Sequence, residues 1–161
     1  MTASLAPRAA EPGFRHPFRV RFAECDPQGI VFNSRYLEYA DMLVTEHWRA
    51  MGLSFAGAGS LDFNVVRAEV DYRAPIRADE MVEGRLWIDR IGNSSLALRI
   101  ELHGLCEPPE TVGAGNAVSG QRADLRTIIA LVYVHIDVAA GRPLPLPDHV
   151  RSLLSAQNAM A

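Results

Sequence analysis

The sequence predicts an α+β protein in which one antiparallel sheet curls round a single long central helix. Three observations predict it. Between Ser34 and Met51, Tyr36, Leu37, Ala40, Leu43, Val44, His47, Trp48 and Met51 fall on one side of a 3.6-residue helix, and Ser34, Arg35, Glu38, Asp41, Thr45 and Arg49 on the other. Downstream, the chain reads as a meander of strands, alternating from Phe63 to Tyr72 and from Met81 to Ile91. The apolar stripe of the helix is too wide for a surface position, and a sheet wrapped around it is the arrangement that buries it.

Taken in order, residues 1–13 are rich in Ala and Pro and read as a flexible N-terminal arm without the continuous apolar core of a signal peptide. His16 to Phe22 alternates apolar and basic residues, as a half-buried strand does. Asp26, Pro27 and Gly29 then mark a tight turn, because Pro presets φ and Gly admits positive φ. Asn33 or Ser34 is suited to cap the helix, and Gly52 stands where a C-terminal glycine ends one. In the strand from Phe63 to Tyr72, the alternation sends Val66, Ala68, Val70 and Tyr72 to the core. Pro75 implies a bend or bulge. Met81–Ile91 and Ser95–Leu105 are strands joined by the hairpin signal Gly92-Asn93-Ser94, and Arg126–Val138 is the last and most β-branched strand. Residues 106–124 form a Gly- and Pro-rich insertion longer than a hairpin loop. The domain thus spans 14–140, and residues 141–161 are a proline-rich tail with a short helix from Asp148 to Ala156.

At 161 residues, 48% hydrophobic and 22% charged, the composition suits one globular domain with a real core. A net charge of −3 gives no support to nucleic-acid binding, and no apolar run reaches the roughly 18–20 residues of a membrane span. Two cysteines in unrelated contexts, Cys25 and Cys106, form neither a disulfide framework nor a zinc motif, so a reducing, cytoplasmic setting is expected. The five histidines lack metal-ligand spacing, and no glycine-rich nucleotide loop is present, so neither a metal nor a cofactor is expected.

The chemistry concentrates at Asp26. A carboxylate just before a helix whose first N–H groups carry partial positive charge can attack a carbonyl or deprotonate water while the helix start holds an oxyanion. The structural alternative is that Asp26 merely closes an Asx turn. Cys25 has no histidine near it in sequence, and Glu46 lies on the solvent side late in the helix. Glu24 reads as a surface acid.

The run Glu24-Cys25-Asp26-Pro27-Gln28-Gly29-Ile30-Val31 leading to Tyr36 resembles the signature of the 4-hydroxybenzoyl-CoA thioesterase family of hotdog-fold proteins, an Asp-x-x-Gly-x-Val turn before the central helix. The Tyr72-x-x-Pro75 and Asp79-Glu80 pattern resembles the same family, so the likeness covers roughly His16 to Val138 apart from the insertion. The resemblance implies hydrolysis of an acyl or aryl thioester to the free acid and CoA, with Asp26 as nucleophile or general base and the oxyanion near the N–H of Phe32 or Asn33. It implies Gly29, Ile30, Val31, Phe32, Tyr36, Asn64 and Val65 as substrate-binding, while Asn33, taken with Asp26 as catalytic, is expected from its own amide to position water or the carbonyl, or else to cap the helix. Relatives place a His near Asn33 and a Tyr near Phe22, and this chain has neither. For the CoA phosphates, where some relatives use a basic cluster between the middle strands, this chain offers Arg90, with Arg122 and Arg126 flanking the insertion. A carrier-protein thioester is the other substrate form. Exposed sheet edges in this fold pair into homodimers or homotetramers with two-chain sites. The alternatives are a non-catalytic module that binds acyl thioesters, and a dehydratase or hydratase, whose chemistry calls for an Asp/His pair.

Overall fold

In this computed structural model, residues 5–8, 11–54, 60–105 and 123–160 are described. The strands β1 (Phe14–Arg19), β2 (Phe63–Tyr72), β3 (Met81–Ile91), β4 (Ser95–Leu105), β5 (Ala123–Asp137) and β6 (Arg142–Pro143) accompany two α-helices, α1 (Arg35–Ala50) and α2 (Asp148–Met160). All pairings are antiparallel, the order across the sheet is β1-β3-β4-β5-β2, and β6 adds to β5. The inner face, carrying Val82, Leu86, Leu96, Leu98, Ile100, Leu102, Ile129 and Leu131, closes over α1 as the periodicity demanded.

Tyr36, Tyr39, Ala40, Leu43, Val44, His47 and Trp48 are the buried residues of α1. Leu37, expected inside, is 43% exposed, and Tyr39 is buried in its stead. The reason is a partner: the Tyr39 hydroxyl donates to Glu24 Oε2 at 2.7 Å, which lets a phenol go under. Gly52 ends the helix with φ 72°, its N–H reaching the Arg49 carbonyl while the Leu53 N–H reaches that of Trp48. At the other end Ser34 occupies the cap position in helical dihedrals and its side chain makes no capping bond. Asn33 uses its carbonyl instead, accepting the Tyr72 hydroxyl at 3.0 Å.

Several expectations are corrected. The first strand begins at Phe14 and stops at Arg19; Phe22 sits on a short 3₁₀ turn, Phe22–Glu24, and is 89% exposed. β2 lies at the sheet edge, its register slips between Val65 and Arg67, and Val66 and Tyr72 are 60% and 51% exposed rather than buried. The slip falls at Val66 itself; beyond it Val70 still packs on the core and Tyr72 on Tyr36, and Tyr72 is exposed because the strand is an edge and the cleft beside it is open. β5 starts at Ala123, so the last two residues of the expected insertion belong to the sheet, while 106–122 fall outside the described residues. The helix expected from Asp148 to Ala156 runs on to Met160 and buries Val150 and Leu154 in the core.

The described part of the N-terminal arm is tethered across the outer face of the sheet. The Ala6 carbonyl accepts Arg99 Nη1 at 2.7 Å, the Arg8 N–H donates to Glu101 Oε1 at 2.8 Å, and the Glu11 carbonyl accepts the Trp87 indole N–H at 3.0 Å. Composition marked this arm as flexible because its partners lie on strands far away in sequence. Burial alone would raise the Glu101 carboxyl. Hydrogen bonds from His103 at 2.9 Å and from Arg8, with the charges around them, outweigh that and hold it below the usual carboxylate range.

His47, 2% exposed on the buried side of α1, meets the Gln157 side chain of α2. Burial lowers its pKa below the ordinary 6.5, and the Gln157 contact only partly opposes this. The unfolded chain therefore takes up this proton first, so the stability His47 contributes is whole above pH 6.5 and declines as pH falls toward the lowered folded value. Denaturant midpoints are expected to drop between about pH 7.5 and 5.5, and to drop less in His47→Gln.

Candidate active site

The site is built where β1 hands over to α1. The Asp79 N–H donates to the Val20 carbonyl at 3.1 Å and the Val20 N–H to the Glu80 carbonyl at 3.0 Å, zipping the chain past β1 onto the segment before β3. Glu24, read from the sequence as a surface acid, is half-buried: its Oε2 accepts both the Arg21 N–H at 2.8 Å and the Tyr39 hydroxyl. It thereby locks the turn to the helix. Burial and that carboxylate both raise the Tyr39 phenol.

Between Asp26 and Ile30 the turn closes through Gly29 N–H to Asp26 carbonyl and Asp26 N–H to Ile30 carbonyl, each 2.9 Å, with Gly29 at φ 74°. Asp26 Oδ1 accepts the Gln28 N–H at 2.8 Å, the expected Asx turn. The same side chain lines the cleft beyond, so the turn does not withdraw it from the cleft. The turn occupies one carboxylate oxygen and orients the other.

The cleft, of about 470 Å³, is lined by Asp26, Ile30, Val31, Phe32, Asn33, Tyr36 and the segment Tyr72–Pro75. Its size is that of a small-molecule site. Tyr36 and Tyr72 meet edge to face at 4.9 Å, and burial raises the Tyr36 phenol. The Phe32 N–H is already given to the Glu24 carbonyl at 3.0 Å, which removes it as an oxyanion donor. Among the described residues the Asn33 N–H makes no backbone hydrogen bond, and it stands at the cleft just ahead of α1.

Six expected site residues therefore gather at one cleft, and Gly29 shapes its turn from outside the lining. Asn64 and Val65 do not join them within one chain. They sit at the far end of β2, roughly 26 Å from Tyr72 at about 3.3 Å per strand residue. Arg90 is likewise near the far end of β3, roughly 30 Å from Met81 by the same rise. Arg122 lies outside the described residues. Arg126 is taken up structurally: its guanidinium holds the Pro75 carbonyl at 2.6 Å, Glu80 at 2.8 Å and Asp124 at 3.0 Å, fixing the cleft wall.

Tyr72, Arg73 and Pro75 are lining residues that sequence reasoning did not place, although the Tyr-x-x-Pro pattern was visible. Arg73 is held by Asp71 at 2.8 Å and by the Leu5 carbonyl at 2.9 Å. The Cys25 thiol is raised by burial and by Glu24 and Asp26 beside it, which disfavours a thiolate nucleophile. Glu46 pairs with Arg49 on the helix surface. Among the described residues no group of three or more His, Cys, Asp or Glu converges as a metal site, and no helix is long and apolar enough to cross a membrane.

Residues 28–104 match the model of the thioesterase superfamily. The acyl-CoA thioester hydrolase YbgC of Escherichia coli and that of Shigella flexneri are 32% identical over 85 residues, 52% of this chain and 63% of theirs. The chain thus spans about 63% of the length of these curated relatives. Among solved structures, a DHNA-CoA thioesterase from Staphylococcus aureus superposes with TM-score 0.75 at 16% identity, over 91% of either chain. A thioesterase from Thermus thermophilus complexed with coenzyme A and Zn does so with TM-score 0.73 at 24% identity, over 92% of this chain and 96% of that one. At such identities the likeness establishes the fold.

Proposed function

We propose that this chain, whose residues 28–104 match the thioesterase superfamily model and whose fold is that of the solved thioesterases, is a member of that superfamily and hydrolyses an acyl-CoA to the free acid and CoA. The observation that carries the reading is Asp26, held by its Asx turn in the wall of a cleft beside the start of α1. The thioester carbonyl enters with its oxygen toward the Asn33 N–H and the helix N-terminus, where negative charge is stabilised. Asp26 then acts in one of two ways. As nucleophile it bonds to the carbonyl carbon, the C–S bond breaks, and water hydrolyses the resulting anhydride. As general base it takes a proton from the water that attacks, and that proton ends on the departing thiolate. Neither route draws on a cofactor. Phe32, Tyr36 and Tyr72 give the acyl side of the cleft an aromatic lining, which suits an apolar or aryl acyl group.

The exposed β2 edge supplies the rest. A two-fold pairing of β2 with a second copy, centred near Ala68, lays the Asn64 end of one chain beside the Tyr72 end of the other. Asn64 and Val65 then complete the partner's cleft, which one chain alone leaves open. Val66→Asp puts a carboxylate near that axis, where two copies face each other. It is expected to shift the protein to monomer in size-exclusion chromatography and to lower kcat/KM by on the order of 10-fold or more. An unchanged elution volume with full activity removes β2 from the interface.

The test of the function itself is thiol release over a panel of aryl, short and medium acyl-CoAs. Turnover of at least one class is expected. Binding across the panel without release of CoA favours a non-catalytic acyl-thioester module, and addition of water to an enoyl ester instead favours a hydratase.

A further inference from the structure

On the other side of the Asp26 turn lies a second groove, of about 500 Å³, lined by Arg19, Val20, Arg21, Phe22, Ala78 and Asp79. We propose that it holds the phosphoadenosine end of the CoA thioester, with the adenine stacked on Phe22 and a phosphate on the Arg21 guanidinium; this rests on the thioesterase reading.

Phe22 is 89% exposed, yet its backbone is fixed on both sides by the Val20 ladder and by the Glu24 carboxylate on the Arg21 N–H. A rigidly presented aromatic face with nothing packed on it is a stacking platform, and every base has a π-face to offer. Arg21 beside it has no side-chain hydrogen bond or ion pair among the described residues, whereas Arg19 is held by the Asp79 carbonyl at 2.7 Å and its carboxylate at 3.3 Å. Arg77, on the adjoining segment, is exposed and equally without a side-chain partner among the described residues. Two lining arginines, Arg19 and Arg21, against one aspartate leave the groove cationic, with Arg77 on the adjoining segment. Guanidinium matches phosphate geometry. The floor includes Asp79 at φ 64°, the non-glycine residue with positive φ among the described residues, a conformation that persists only where its surroundings enforce it.

Placement joins the groove to the cleft. Ile30 bridges Arg77, and the Ala78 N–H donates to the Gly29 carbonyl at 3.4 Å, so one wall separates the two. A thioester on Asp26 and a nucleotide on Phe22 are then two ends of one extended ligand that crosses this wall. Arg90, at the far end of β3, does not reach this groove within the chain.

The experiment compares kcat and KM for an acyl-CoA and for the matching acyl-pantetheine, which lacks the nucleotide, in wild type, Arg21→Ala, Phe22→Ala and Phe22→Trp. For the CoA ester, KM is expected to rise roughly 10-fold in Arg21→Ala, the equivalent of about 1.4 kcal/mol, with kcat unchanged. Phe22→Ala is expected to behave alike and Phe22→Trp to restore KM, since a larger ring stacks as well. The pantetheine ester should not distinguish the variants. Equal changes for both esters, no change for either, or a change confined to a carrier-protein thioester overturns the proposal. Should wild type cleave neither ester, the thioesterase reading fails instead. Calorimetry with adenosine bisphosphate then still decides the groove: binding lost in Arg21→Ala supports it, and no binding to wild type overturns it.

Discussion

Asp26→Asn is expected to lower kcat by about 10²–10⁴ and to leave the fold and melting temperature nearly unchanged. The amide is isosteric with the carboxylate, and its oxygen can still accept the Gln28 N–H that Asp26 Oδ1 accepts at 2.8 Å, so the Asx turn survives. What disappears is the charge: an amide neither attacks a thioester carbonyl nor takes a proton from water. Because the turn and the lining stay in place, KM for an acyl-CoA should change far less than kcat. Asp26→Ala provides the contrast, since it also removes the turn's acceptor and should lower stability by about 1 kcal/mol beyond its loss of activity. Thiol release and thermal unfolding, measured on the same preparations, separate these outcomes. An Asp26→Asn protein as active as wild type removes Asp26 from the mechanism, whatever becomes of the fold.

The second large effect concerns the core that holds this turn in place. Gly84 sits in β3 opposite α1, and a Cβ added there runs into the Leu43 side chain, which is fully buried. Gly84→Ala should cost about 1–3 kcal/mol by overpacking, because the fully buried Leu43 side chain must shift against its core neighbours to admit the methyl. Leu43→Ala alone should cost about 2–5 kcal/mol through the lost burial and the cavity left behind. The two changes compensate: the methyl of one fills part of the space vacated by the other. In a double-mutant cycle, Leu43→Ala with Gly84→Ala should be less destabilised than the two single losses added together, by at least about 0.5 kcal/mol. Denaturant unfolding of the four proteins reads this directly. Strict additivity would mean that the helix and β3 do not share this contact.

The close approach at Gly84 also shows what a sequence can and cannot tell. The alternation of β3 puts Gly84 on one face together with Val82, Leu86 and Ile88, and the structure shows that this is the inner face, burying all four. The bounds of β2, β3 and β4 and the hairpin at 92–94 were equally legible, since each rests on local period or turn chemistry. Leu37 and Val66 went to the wrong side. The first lost its place to Tyr39, whose burial depends on Glu24, and the second lies at a register slip on an edge strand. Period measures the average direction of a side chain and is blind to both causes.

By itself the sequence determined the class of fold, the long buried helix, and the Asp26 turn with its glycine, because these depend on backbone preference and hydrophobic spacing within a few residues. Only the tertiary structure decided that Phe32 has no N–H to spare, that Arg126 is bound up in the cleft wall, and that Asn64, Val65 and Arg90 stand at the opposite end of the sheet from Asp26. It also decided that Tyr72 to Pro75 complete the cleft and that the N-terminal arm is pinned to the outer face. Each of these depends on pairing between segments tens of residues apart. A hydrogen-bonding group carries no mark, in the linear chain, of which distant partner will use it.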